Sequence, residues 1–154
     1  MRKLALAIGL IAAVLTVTAA AAPPSTVSGT GTVTSTTATV VRVADGNTFP
    51  AGHDSGAIAG SFTGTWETDY TIIVHSSGLV HVVHGTFTCT CSVAGRSGSF
   101  MIRFEGPVLP SGVLELHGAT IGATGGLAGL YSNVTVEAIF GVGFTYSGTA
   151  HFAP

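Results

Sequence analysis

The residues best suited to chemistry are two cysteines and six histidines. Cys89 and Cys91 are separated by one residue, in the run Thr88-Cys89-Thr90-Cys91. Residues i and i+2 of a regular strand share a face and lie about 6.6 Å apart at Cα, whereas the Cβ atoms of a disulfide lie about 4 Å apart. A disulfide here therefore requires a bulge or a kink, and two buried thiols are the alternative.

A metal centre is the second chemistry to weigh. Zinc takes four ligands in a tetrahedron, and its ligands recur at characteristic sequence spacings. The histidines and the Cys-x-Cys pair lack those spacings. A soft-metal site of Cys89, Cys91 and His81 is conceivable, but a disulfide or buried thiols are favoured over it. We predict no metal and no cofactor.

The N-terminal segment, which precedes the elements that position these residues, has the pattern of an export signal. Met1-Arg2-Lys3 is basic, Leu4–Val17 is apolar, and the next five residues are small. This three-part pattern is typical of a secretory signal peptide, and its apolar run is shorter than the roughly 20 residues of a membrane span. We predict a cleaved signal peptide at residues 1–22, and a secreted or cell-envelope protein without a membrane span. A retained anchor is the alternative.

The chain after the signal contains no lysine. Three arginines (Arg42, Arg96 and Arg103) stand against seven acidic residues, which leaves a net charge of −4. Binding to nucleic acid or to an anionic membrane requires a basic surface. The composition therefore disfavours both partners, and it leaves the oligomeric state open.

Strand-like runs recur along the rest of the chain. β-Branched and aromatic residues dominate them, glycine-rich segments separate them, and no segment after residue 23 has a capped helical period. This pattern favours an all-β barrel or sandwich. We expect a flexible arm at residues 23–37, a barrel domain at residues 38–154 and one long irregular connection, Ala44–Gly60. The runs are Thr39–Val43, Trp66–His75, Leu79–Val93, Ser99–Gly106, Val113–Gly118, Leu127–Ala138 and Phe144–Phe152, with a further strand within Ala57–Thr63.

Alternation along the runs assigns their faces. If Ser77-Gly78 is the loop of a hairpin, Ile72 pairs with Val83 and Val74 with His81, and paired residues share a face. Every charged residue of these strands then falls on the polar face, which we place outside. The residues predicted inside are Trp66, Tyr70, Ile72, Val74, His81, Val83, Phe87, Cys89, Cys91, Val93, Phe100, Ile102, Phe104, Leu114, Leu116, Val134, Val136, Phe144, Tyr146 and Phe152.

Two glycine-rich stretches carry a family resemblance. They are Gly95–Phe100, which follows a strand beginning near His84, and Ala123–Leu130. Over roughly Phe62 to Phe152 the chain resembles an uncharacterised bacterial family related to the allene oxide cyclase-like barrels, and more distantly the dirigent proteins. The resemblance implies a single closed antiparallel barrel of about eight strands. Its central cavity holds a lipid-like or phenolic molecule in the relatives.

A few polar groups among apolar ones are typical of a ligand pocket. The predicted interior contains such groups in Tyr70, His81 and Tyr146, beside apolar residues such as Phe104. We take these four as candidate ligand-binding residues. The alternative is that the polar ones belong to a filled core and bond to backbone or water.

No catalytic residue is predicted. No carboxylate points inward in the face assignment, nothing orients His81, and no nucleophile elbow occurs in a strand–turn–helix setting. The leading hypothesis is a secreted, non-enzymatic barrel that binds a small apolar molecule. One alternative is a cyclase or dirigent-like enzyme that steers a reactive intermediate. The other is a structural or interaction module of the cell envelope that uses loops such as Ala44–Gly60.

Overall fold

The computed structural model describes residues 23–77 and 81–153, which form one closed antiparallel barrel of eight strands. The predicted fold class is confirmed, whereas the predicted signal peptide lies outside the described residues. No helix in the described part of the chain is long and apolar enough to span a membrane. The strands are β1 Ser25–Ala44, β2 Asn47–Gly60, β3 Phe62–Val74, β4 His81–Val93, β5 Arg96–Val108, β6 Val113–Gly125, β7 Leu130–Ile139 and β8 Gly143–Phe152.

The first two strands differ from the prediction. Residues 23–37 are not a flexible arm, because β1 begins at Ser25 and pairs with β8 as far as Thr32. The barrel domain therefore begins before residue 38. Ala44–Gly60 is not an irregular connection either, since a turn at Asp45-Gly46 leads directly into β2. The strand expected within Ala57–Thr63 is divided between β2 and β3 at residue 61.

Glycines at inward positions of β1 and β2 explain why alternation of apolar and polar residues did not predict most of these two strands. A Cβ atom on Gly31 of β1 would lie 2.2 Å from the ring of Phe144, and one on Gly52 of β2 would lie 2.2 Å from the ring of Tyr70. Each glycine is the register partner of that aromatic residue. The neighbouring ring thus supplies the apolar surface that a side chain of β1 or β2 would otherwise provide.

The hairpin of β3 and β4 has the predicted register. Ile72 pairs with Val83 and Val74 pairs with His81. The charged residues assigned to the outer face of the predicted strands are all exposed, namely Glu67, Asp69, Arg103, Glu105, Glu115 and Glu137. Alternation therefore gave the correct faces for the strands that it detected.

One end of the barrel is filled by large side chains. Phe62, at the start of β3, lies with its ring centroid 5.1 Å from that of Phe100 and 5.1 Å from that of Tyr146. Leu127, in the turn between β6 and β7, is completely buried. Open space within the barrel is therefore confined to its middle and its opposite end.

Candidate functional site

An apolar cavity of about 100 Å³ lies inside the barrel. Its two hydroxyl-bearing residues already bond to the backbone: Thr68 donates to the carbonyl of Thr86 at 2.8 Å, and Tyr146 accepts from the N–H of Phe62 at 2.8 Å. A ligand there would meet hydrocarbon and ring surfaces. The lining residues are Ile58, Phe62, Trp66, Thr68, Phe87, Ile102, Phe104, Leu116, Gly118, Val134, Val136, Phe144 and Tyr146.

A second cavity of about 70 Å³ adjoins the first toward the other end of the barrel. The two share Thr68, Phe104 and Leu116 in their walls. The second cavity is lined in addition by Asp54 and Tyr70, and by residues of the β7–β8 turn such as Phe140. The interior thus combines an apolar compartment with a smaller one that carries a carboxylate and a phenol.

Asp54 overturns the expectation that no carboxylate points inward. It lies in the middle of β2, and the residue is 7% exposed. The error follows from the assignment of Ala44–Gly60 as a connection, because no faces were assigned there. Asp54, Gly56 and Ile58 alternate with more exposed residues, but glycines at neighbouring inward positions leave no apolar alternation that a period-two test could detect.

Tyr70 faces Asp54 across the second cavity. Its hydroxyl donates to Oδ1 of Asp54 at 3.5 Å, the outer limit of a hydrogen bond. Burial raises the pKa of Tyr70 to about 12, and the charge of Asp54 and this hydrogen bond act in the same direction. Burial also raises the pKa of Tyr146, although hydrogen bonds from the N–H groups of Phe62 and Ser61 oppose the increase. Both phenols are therefore neutral at neutral pH, Tyr70 as a donor to Asp54 and Tyr146 as an acceptor from the backbone.

Three of the four predicted ligand-binding residues line these cavities. Tyr70 lines the second, Tyr146 the first, and Phe104 lies between the two. His81 does not line either cavity; it begins β4, pairs with Val74 and Val108, and is only partly buried. A role for Tyr70, Tyr146 and Phe104 in binding remains a prediction. Sequence analysis missed Asp54 and Thr68, although Thr68 lies two residues before Tyr70 and therefore on the same face of the strand.

The two cysteines are joined in a disulfide on the inner face of β4, with their Cα atoms 5.4 Å apart. Cys89 and Cys91 are both buried, and β4 keeps a regular register with both neighbours. The described strand β4 contains no bulge. Instead, the Cα atoms of the two cysteines lie closer together than the roughly 6.6 Å of a regular strand. No group of three or more His, Cys, Asp or Glu residues within residues 23–77 and 81–153 is arranged to hold a metal ion.

A wider groove of about 550 Å³ crosses the outer face of β5, β6 and β7. Its rim includes Arg103, Glu105 and His117, all of which are exposed. A molecule there would keep much of its contact with water, so its binding would gain less free energy from burial than binding in the interior. The interior is therefore the stronger candidate site.

The fold and the interior together define a closed eight-stranded antiparallel barrel with a small internal cavity. No family model matches the sequence, and no curated protein matches it. Among solved structures, the chain is similar to the crystal structure of a protein of unknown function from the DUF3224 family of Shewanella oneidensis MR-1. The TM-score is 0.67 at 17% identity, over 86% of this chain and 99% of that chain. This likeness shows the fold alone.

Proposed function

We propose that the barrel binds a small apolar molecule in its interior. The observation that carries the proposal is the cavity of about 100 Å³, whose polar lining groups are already bonded to the backbone. An unfilled apolar space in a protein leaves its lining atoms without van der Waals partners. A ligand of matching size would restore those contacts and remove its own apolar surface from water.

The cavity volume restricts the size of the ligand. An engineered cavity of about 150 Å³ in another protein holds one benzene molecule. The two adjoining compartments, about 100 and 70 Å³, together fall in this range. We therefore propose a ligand with one ring or a comparable short branched chain, and not a long lipid.

A thermal-shift series tests the proposal. Toluene and p-cresol are expected to raise the melting temperature, whereas dodecanoic acid is expected to leave it unchanged because its chain exceeds the cavity. Val136→Phe places a ring in the apolar cavity that Val136 lines, and it should abolish the shifts. Ile121→Phe, at a half-exposed position, is the matched control and should retain them. The absence of a shift with every one-ring compound would refute the proposal.

A second candidate function is an enzyme that steers a reactive intermediate. Asp54 and Tyr70 favour it, because they form a buried carboxylate–phenol pair beside an apolar pocket, and such pairs can act in proton transfer. The discriminating variants are Asp54→Asn and Tyr70→Phe. If the protein is an enzyme, these variants should lose turnover but still bind apolar ligands. If it is a carrier, no turnover is expected in the unmodified protein or in the variants.

Two further elements belong to the proposal. One is export by residues 1–22, which mass spectrometry of the mature N-terminus in a secreting host would test. The other is a relation to the allene oxide cyclase-like barrels. It is supported by the closed eight-stranded antiparallel barrel and by the two glycine-rich stretches, which lie at the β4–β5 and β6–β7 connections.

A further inference from the structure

Asp54 is a buried carboxylate without a cationic partner in the described part of the chain. The residue is 7% exposed. The one ion pair within residues 23–77 and 81–153 joins His53 to Asp69 at 2.9 Å, and both of those side chains are exposed on the outer face. The contact described for Asp54 is the Tyr70 hydroxyl at 3.5 Å. One long hydrogen bond is a weak counterpart for a carboxylate removed from water.

The other described side chains that line the cavity of Asp54 do not donate hydrogen bonds to its carboxylate. Thr68 shares the cavity, but its hydroxyl donates to the backbone carbonyl of Thr86. The remaining lining residues are apolar, among them Phe104, Leu114 and Phe140. A carboxylate held in such surroundings favours a donor that carries positive charge, because pairing offsets the cost of burial.

We infer that the interior binds a one-ring aromatic amine, with its ammonium group on Asp54 and its ring in the apolar cavity. This inference rests on the proposed function and names the chemical class of the ligand. The two compartments share Thr68, Phe104 and Leu116 in their walls, so the inferred ligand would extend past these side chains from one compartment into the other. Hydrogen bonds between ionised partners are roughly twice as strong as neutral ones.

The aromatic side chains near Asp54 favour the same ligand. The ring of Tyr70 lies 5.7 Å from that of Phe140, and both line the compartment of Asp54. Cations are attracted to the faces of aromatic rings. An anionic head group would instead face the carboxylate and be repelled, and a neutral alcohol would donate a hydrogen bond to the carboxylate without the attraction of a positive charge.

Four probes of nearly equal size test the inference by calorimetry at neutral pH: benzylamine, benzyl alcohol, benzoate and toluene. Benzylamine should bind about tenfold more tightly than benzyl alcohol, and benzoate should bind least. Asp54→Asn should reduce the affinity for benzylamine to that for benzyl alcohol and leave the affinity for toluene unchanged. The control is Asp69→Asn, which removes a carboxylate from the outer face and should preserve the order of all four probes.

The possible results separate this inference from the proposed function. If toluene binds but benzylamine has no advantage, or keeps its advantage in Asp54→Asn, the assignment to Asp54 is wrong and the apolar site stands. If no probe binds, both proposals are wrong. If Asp54→Asn does not fold, the order of the four probes on the unmodified protein decides the question, because a preference for benzoate or equal affinities would contradict it.

Discussion

At the scale of single residues, the interior is defined by polar groups that differ in how well they are partnered. Tyr146 has a short hydrogen bond to the backbone, at 2.8 Å, whereas Tyr70 has a long one to Asp54, at 3.5 Å. A well-partnered group contributes to stability, and a poorly partnered group leaves capacity for a ligand. We therefore assign Tyr146 mainly to the core and the Asp54–Tyr70 pair mainly to the candidate site.

Tyr70 should make the protein less stable at high pH. Its pKa is about 12 in the folded protein, against an ordinary value of 10.0. Below pH 10 the phenol is protonated in both states, so it adds no pH dependence. Between pH 10 and 12 the unfolded chain releases the proton first, and the free energy of unfolding falls. Urea unfolding from pH 8 to pH 11 should show a steeper decline for the unmodified protein than for Tyr70→Phe, and equal declines would contradict this assignment.

Tyr146→Phe should destabilise the barrel. The substitution keeps the ring that stacks on Phe62 but removes the acceptor of the Phe62 N–H group. A buried donor left without a partner costs about 1–3 kcal/mol. Chemical denaturation measures this loss. Tyr131→Phe is the control, since Tyr131 is 53% exposed, and it should change stability by less than about 0.5 kcal/mol. Equal effects of the two variants would argue against a structural role for the Tyr146 hydroxyl.

At the scale of elements, β1 and β2 depend on their neighbours for an apolar face. Gly31 lies beneath the ring of Phe144, and Gly52 beneath that of Tyr70. The end of β1 beyond Thr32 pairs with β2 alone, apart from a hydrogen bond from Val33 to Val142, and bulges interrupt it near Val33 and Val40. Bulges of this kind twist an edge strand and discourage pairing with other chains.

Gly31→Ala tests the packing of β1 against β8. The new methyl group would lie 2.2 Å from the Phe144 ring, so the ring must move, and overpacking of this kind costs about 1–3 kcal/mol. Gly122→Ala in β6 is the matched control, because no atom lies within 4 Å of the position of its Cβ. Thermal unfolding of both variants should show a loss only for Gly31→Ala. An unchanged melting temperature in Gly31→Ala would mean that β1 does not pack in this way.

The sequence predicts a strand of this barrel well when the inward side chains of that strand are themselves apolar. In β3 to β8 most of the large inward residues are themselves apolar, as Phe100 and Leu116 illustrate, and alternation predicts both strand and face. In β1 and β2 the inward positions include glycines such as Gly31 and Gly52, whose apolar partners are distant in sequence. No local pattern contains that information, so only Thr39–Val43 of β1 and the part of β2 within Ala57–Thr63 were predicted as strand, and Asp54 was missed.

At the scale of the whole molecule, closure of the barrel creates the candidate site. Tyr70 comes from β3, Phe104 from β5 and Val136 from β7, and they line the two neighbouring cavities because each strand pairs with the next around the barrel. The sequence predicted inward positions for Tyr70, Phe104 and Tyr146. It could not predict the volume left between them, because that volume depends on how side chains from all eight strands fill the interior.

The most direct test of the central claim is a methyl NMR titration of the protein with toluene. If the interior binds a small apolar molecule, the methyl signals of Ile58, Leu116 and Val136, which line the apolar cavity, should shift and saturate together. The signal of Ile121, half-exposed on the outer face, should stay in place. Shifts confined to Ile121, or no saturable shift at Ile58, Leu116 and Val136, would contradict the account.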